Sequence, residues 1–441
     1  MKLFLFLIIF ILTTNCSFDN KSGIWQTEND NINTKDDLFS EFKTLSSEKN
    51  SFNKVIKINK NFKFNIENPQ KNYSWSDIFF DQSNNFLNYK YNEENRIIFK
   101  SKKLTNYSTS KYILYKNNKV ILSDKKGNII IFSIKENKII NKFNFYKKNF
   151  KKINKEINFV IDNNIIYISD NIGFVYSYDL TTNSVLWAKN YKIPFRSNIK
   201  VLNSYLITSN QNNDLYFLDK KTGDTIKLIP TEETTVKNQF INNLSLNNNT
   251  SFFLNTYGSL YAIDIKNLKI KWFFNLNQSI DINPSNLFLS NEIVVHKNNL
   301  VISSNRQTYI FDINTGLIKY KKNFSSIIKP IISGSYLFSV TKNNLLIASN
   351  LEDGKIVYSN DINQEIANYL GTNKNKVKFK NIFLINNKIF IFLNNSYVLK
   401  FKIDGNLKEV VKLPCKILSN PIFIDSSILF LDKKNKLCII D

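Results

Sequence analysis

The chain has 441 residues, 43% of them hydrophobic, enough to bury one large core or two ordinary ones. Its formal charge is +24, yet the basic residues are spread along the whole chain, and Tyr146–Lys155 is the densest run. Dispersed charge of this kind describes a solvated surface and argues against a nucleic-acid-binding stripe.

At the N-terminus, Lys2 precedes the apolar run Leu3–Leu12, and Cys16 follows shortly after. The run is too short for a membrane-spanning helix and has the length of a secretory signal's hydrophobic region. A cysteine just beyond such a region resembles a bacterial lipoprotein cleavage site, which implies lipidation of Cys16. An ordinary signal peptide with an incidental cysteine is the alternative. Ser17 after that cysteine implies, by the same resemblance, the outer rather than the inner membrane. The expected organisation is a signal peptide over 1–15, a lipidated tether over 16–52 and a folded domain over 53–441. The tether is polar, with one short helix-like pattern at Leu38, Phe39, Phe42 and Leu45.

From Gly127 onward one unit recurs. "GNIIIFS" (Gly127), "GFVYSYD" (Gly173), "NDLYFLD" (Asn213) and "GSLYAID" (Gly258) are followed by "RQTYIFD" (Arg306), "NLLIASN" (Asn344), "NSYVLKF" (Asn395) and "NKLCIID" (Asn435). The eight copies recur about every 44 residues. Each follows another short apolar run across a polar turn, which reads as a β-hairpin. Several copies add a second turn, at Thr222-Gly223, Thr315-Gly316, Asp353-Gly354 and Asp404-Gly405. An aromatic then stands in the next strand at Trp187, Trp272, Tyr320 and Tyr358. Segments such as Pro330–Gly334 and Pro421–Asp425 supply one more strand before each hairpin.

Four short antiparallel strands per repeat predict an all-β, eight-bladed propeller. Strands apolar on both faces, such as "SLYAID", suit blades packed between neighbours. The last copy ends at Asp441, before its fourth strand. An N-terminal strand must then close the ring, with Lys63–Glu67 or Arg96–Lys100 as candidates.

Candidate chemistry is sparse. His296 is the single histidine and reads as a strand-end residue, and no GxSxG elbow, P-loop or GxGxxG occurs. Clustered zinc-type ligands are absent from the sequence. Asp179, Asp219, Asp264 and Asp312 recur at one position of the repeat, which makes them structural residues expected to bond the following turn. No cofactor is expected. Cys415 and Cys438 can pair or can be two separate buried thiols.

"GSLYAIDIKNLKIKW" and "LYFLDKKTG" resemble the pyrroloquinoline-quinone (PQQ) enzyme repeat over about Lys111 to Asp441. That resemblance raises a PQQ-dependent dehydrogenase as one reading. The adjacent cysteine pair of the methanol-dehydrogenase-like enzymes and a convincing calcium-ligand set are missing from this sequence. The whole chain is more similar to the BamB family, propeller lipoproteins of the β-barrel assembly machinery (BAM). Its implications are a non-catalytic, monomeric scaffold on the periplasmic side of the outer membrane, binding the POTRA domains of BamA. "AKNYKIPFRSNIKV" after Trp187 resembles the family segment whose arginine grips those domains. The matching positions are Arg196, with Pro194 and Phe195 beside it. Phe195 is expected to be an exposed apolar neighbour of the guanidinium. The alternative is that Arg196 only bonds local carbonyls. The family's acidic partner positions fall near Asn242 and Asn243, with Glu232 and Glu233 further upstream. A propeller lipoprotein serving another envelope complex is the remaining reading.

Overall fold

In the computed structural model the described residues are 16–18, 25–27, 51–233, 241–277 and 288–441. The chain divides into two units, Met1–Asn50 and Ser51–Asp441. In the first, strands Cys16–Phe18 and Trp25–Thr27 pair antiparallel. The expected signal segment and the helix-like pattern at Leu38–Leu45 lie outside the described residues.

The second unit is an eight-bladed propeller. Blade 1 spans Thr109 to Asn144, blade 2 Ile157 to Asn190, blade 3 Lys200 to Ile229 and blade 4 Asn243 to Asn275. Blade 5 spans Val294 to Lys322, blade 6 Ile331 to Asp361, blade 7 Phe379 to Lys412, and blade 8 begins at Ile422. Within each blade consecutive strands pair antiparallel. The first strands of blades 1 to 7 neighbour one another in turn around the axis, so the fourth strands form the rim. Turns between strands 1 and 2, and between 3 and 4, therefore share one face. Inter-blade connections share the other.

The repeated motif is a latch between blades. The repeated aspartates accept from the turn that follows them: Asp264 Oδ1 from Lys266 N–H, Asp219 Oδ1 from Lys221 and Thr222 N–H, and Asp312 Oδ1 from Asn314 and Thr315 N–H. The turns after Asp219 and Asp312 present a glycine in the left-handed region to the aromatic of the preceding blade, whereas the turn after Asp264 has Leu268 (φ 55°) at that position. Trp272 lies over Gly316 (φ 72°) and donates its indole N–H to Ile313 O at 2.9 Å. Trp187 repeats this over Gly223 with Lys220 O at 3.1 Å, Tyr320 lies over Gly354, and Tyr358 over Gly405. A Cβ on Gly316 would sit 2.6 Å from the Trp272 ring, so both the φ and the space require glycine.

Blade 8 takes its outer strand from the N-terminal side. Ile97–Lys103 pairs with Lys436–Ile440, and Arg96 and Asp441 exchange backbone hydrogen bonds at 3.0 and 3.2 Å. Of the two candidate segments, the one at 96–100 closes the ring. Lys63–Glu67 instead runs against blade 6, where Phe64 packs on Tyr336, Phe338 and Tyr358.

Between these segments the chain draws a hoop inside the ring. Asn72 bonds Phe423 O and Asp425 N–H in blade 8, and Trp75 pairs with Tyr115 in blade 1. Ser76 O accepts from Ile161 in blade 2, the Gln82 side chain donates to Val201 O in blade 3, and Gln82 O accepts from Leu246 in blade 4. Ser83 O accepts from Val295 in blade 5, the Asn85 carboxamide bonds both backbone groups of Ile332 in blade 6, and Asn88–Tyr89 lies parallel to Leu384–Ile385 in blade 7. Asn92 then reaches Ser426 of blade 8, and Gln70 bonds Asn88 and Lys90 to close the circuit. The inner edges of the first strands, which a propeller leaves unpaired, thus find backbone and carboxamide partners along the hoop. Asp77 and Lys200 form an ion pair here at 2.8 Å, both almost fully buried. Burial holds the Asp77 carboxyl above its usual range despite that ammonium.

Candidate functional site

The hoop bonds the first strands near the turn that leads into strand 2, so the axis is closed toward that face and hollow toward the inter-blade face. Two cavities, of about 320 and 670 Å³, open there and share Ile78, Phe79, Lys111 and Tyr112. Trp75 and Phe86 add to the floor of the smaller. The larger runs outward past Lys155 and Asn158 to Arg196, Asn198 and Ile241.

Arg196 sits on the connection from blade 2 to blade 3, and its neighbours hold that connection rigid. Phe195 N–H donates to Asp170 O at 2.9 Å, Arg196 N–H to Ser209 O at 3.0 Å, and Asn242 N–H to Arg196 O at 3.1 Å. The loop is thereby tied to blades 2, 3 and 4. Phe195 is 1% exposed and packs edge-on against Tyr191 and Tyr216. This corrects the sequence expectation: Phe195 is an internal anchor for the loop, because its ring fills the space between two tyrosines. Pro194 is half-buried and its carbonyl accepts from Gln211 N–H at 2.7 Å. Among the described residues the half-buried Arg196 guanidinium makes no hydrogen bond to local carbonyls and no ion pair. The exposed apolar residue beside it is Ile241, 62% exposed. Sequence reasoning missed it because it comes from the next inter-blade connection, 45 positions away.

The acidic candidates are committed elsewhere. Glu232 accepts from Ser259 Oγ (2.6 Å), Tyr261 OH (2.9 Å) and Asn255 Nδ2 (2.7 Å). Burial pushes its carboxyl up, and those hydrogen bonds outweigh burial and leave it below the usual range. Glu233 accepts from Asn212. Asn242 is buried with its carboxamide on Ser209 Oγ and Asn210 O, and Asn243 bonds Ser290. None of the four is brought to the Arg196 guanidinium.

His296 ends the first strand of blade 5, as expected from its sequence position, with Nε2 3.2 Å from Glu67 Oε1. Among the described residues no group of three or more His, Cys, Asp or Glu could hold a metal ion.

Seven of the exposed apolar side chains lie on the same face. Tyr107, Ile153, Ile241, Leu289, Ile327, Tyr369 and Leu370 lie on inter-blade connections and are each 45–62% exposed. Tyr369 and Leu370 end the helix Ile362–Leu370, which is capped by the Asp361 side chain and by Gly371 in the left-handed conformation.

The family described as "Outer membrane protein assembly factor BamB" matches residues 159–360. No curated protein matches the chain. The crystal structure of BamB from Moraxella catarrhalis superposes with a TM-score of 0.60 at 13% identity, covering 78% of this chain and 99% of that one. The computationally designed Ika8 protein superposes with a TM-score of 0.55 at 11% identity, covering 77% and 99%. At such identities the superpositions speak to fold alone. The profile match over the central blades and the eight-bladed architecture agree: the chain is a BamB-like β-propeller.

Proposed function

We propose that this chain is a non-catalytic scaffold of the outer-membrane β-barrel assembly complex, docking the POTRA domains of BamA through its inter-blade face. The observation that carries the reading is the Arg196 guanidinium, without a partner among the described residues, on a loop pinned by backbone hydrogen bonds beside exposed Ile241. With its backbone already pinned, Arg196 has only its side chain left to order on binding, and its planar fork suits a carboxylate or a row of carbonyls. The exposed apolar residues on neighbouring connections supply a surface for the rest of the contact. Export over residues 1–15, a lipid on Cys16 and a tether to residue 52 would hold this unit to the periplasmic leaflet. The mechanism is binding alone: the propeller keeps the POTRA domains in an arrangement that accepts unfolded barrel substrates. Affinity purification from the native envelope tests the reading, with BamA expected as a co-purifying partner. Recovery with a different envelope complex and no BamA would overturn it.

A further inference from the structure

The smaller of the two axial cavities gathers polar side chains from several blades. Lys111 and Tyr112 come from the first strand of blade 1, Thr109–Lys116, and Lys380 and Asn381 from the first strand of blade 7, Phe379–Ile385. Glu292 and Asn420 lie just before the first strands of blades 5 and 8. In a regular strand successive side chains point to opposite faces. Blades 1 and 7 depart from regularity where these two pairs stand. Their pairing with the second strand shifts register between Thr109 and Ile113 and between Phe379 and Asn381, while the same pairing in the other six blades runs unbroken. Irregularities of this kind re-aim side chains, and here both fall at the cavity.

The charges are sorted across the axis. Lys380 Nζ donates to Leu418 O and Asn420 N–H to Lys111 O, both at 2.7 Å, so blades 7, 8 and 1 build one wall from two lysines and a carboxamide. Neither lysine forms an ion pair among the described residues. Burial, and then the like charges of Lys111 and Lys433, pull the Lys380 amine down to about 8, as expected of a wall without a counter-ion. Glu292, half-buried, enters from blade 5, which stands opposite blade 1 in the ring. Its carboxylate makes no hydrogen bond or ion pair among the described residues. Asn381 Oδ1 is buried without a hydrogen-bond partner, in a fold that satisfies the carboxamides of its hoop. Lys329, also on the lining, is committed to the hoop carbonyls of Phe79 and Asn84. We propose that this cavity binds a small zwitterion, an amino acid or short peptide with both ends free and an apolar side chain. The ligand's carboxylate faces Lys111 and Lys380, its ammonium faces Glu292, an N–H reaches Asn381 Oδ1, and its side chain rests on Trp75 and Phe86. Charge-assisted bonds at both ends fix its orientation. A volume of about 320 Å³ suits a small molecule and excludes a folded partner. The site requires neither export nor BamA.

The test is calorimetric titration of the purified full chain with leucine, leucyl-leucine and trileucine. At least one should saturate the protein with a Kd below about 1 mM. Saturation by none of the three would overturn the proposal. The best of them is then offered with its amine acetylated or its carboxylate amidated, and each cap should weaken binding about tenfold. Capped forms that bind as tightly as the free one would overturn the zwitterion. Glu292→Gln should weaken the free ligand about tenfold and leave the acetylated one unchanged, and Lys380→Met should do the same for the free and amidated ligands. Thermal midpoints establish that both variants fold. Should Lys380→Met fail to fold, the capped ligands and Glu292→Gln decide alone. Native affinity for the free ligand in Glu292→Gln would overturn the assignment.

Discussion

Lys329 places an amine where the ring gives it almost no water. It is 7% exposed, stands 3.2 Å from the centre of the Phe86 ring, and donates to the hoop carbonyls of Phe79 and Asn84. Burial pulls its pKa down to about 7. The folded value lies below the unfolded one, so between about 7 and 10.5 the unfolded chain binds the extra proton. The contribution of Lys329 to stability therefore rises with pH across that window. Urea unfolding at pH 7 and pH 10 should show a gain in the native protein that Lys329→Met removes; an equal gain in both would contradict it. Nothing in the sequence marks this lysine among its neighbours, because its environment is built by the hoop, 250 positions earlier. Asp264 and Trp272 were legible, since an aspartate and a large aromatic recur at those positions in several blades and repetition separates a structural role from a chemical one. The role of Gly316 beneath Trp272 was not, because the two residues latch across blades that the repeat merely sets side by side.

The elements divide in the same way. Every blade was readable from its own strands, since a strand buried on both faces needs a continuous apolar run and its turns need Asn, Asp or Gly. The hoop has no such pattern. Residues 70–92 form almost no regular strand: backbone groups of Trp75 and Ser76 meet blades 1 and 2, and the carboxamides of Asn72, Gln82, Asn84, Asn85 and Asn88 reach the other six. Asn84 illustrates the load it carries. Its carboxamide nitrogen donates to Leu244 O and Ile293 O, each at 2.8 Å, and its oxygen accepts from Lys200 at 2.5 Å. Asn84→Ala leaves those buried groups without partners and should destabilise the ring by about 3 kcal/mol. A denaturation midpoint equal to that of the native protein would make the hoop a passive filling. The loop at Arg196 was half legible. Its arginine was identifiable by resemblance, but the burial of Phe195 and the nearness of Ile241 depend on how three blades meet.

At the scale of the whole molecule the ring is closed twice, by Ile97–Lys103 completing blade 8 and by the hoop touching every blade from within. The need for an N-terminal closing strand followed from the missing fourth strand at Asp441. Which of two segments provides it did not, since both are short and apolar. The two faces then differ in kind. The hoop and the tight turns occupy one, while the other carries the two cavities, a guanidinium without a partner among the described residues, and seven exposed apolar side chains on the inter-blade connections. The account turns on that second face being the one that binds. Titrating purified propeller with the POTRA domains of the proposed partner BamA measures this directly, with Arg196→Glu and Ile241→Asp as the variants. Each should weaken binding about thirtyfold, the loss of about 2 kcal/mol expected of a central contact, while the thermal midpoint stays unchanged. Affinity equal to the native protein's in both variants would contradict the account.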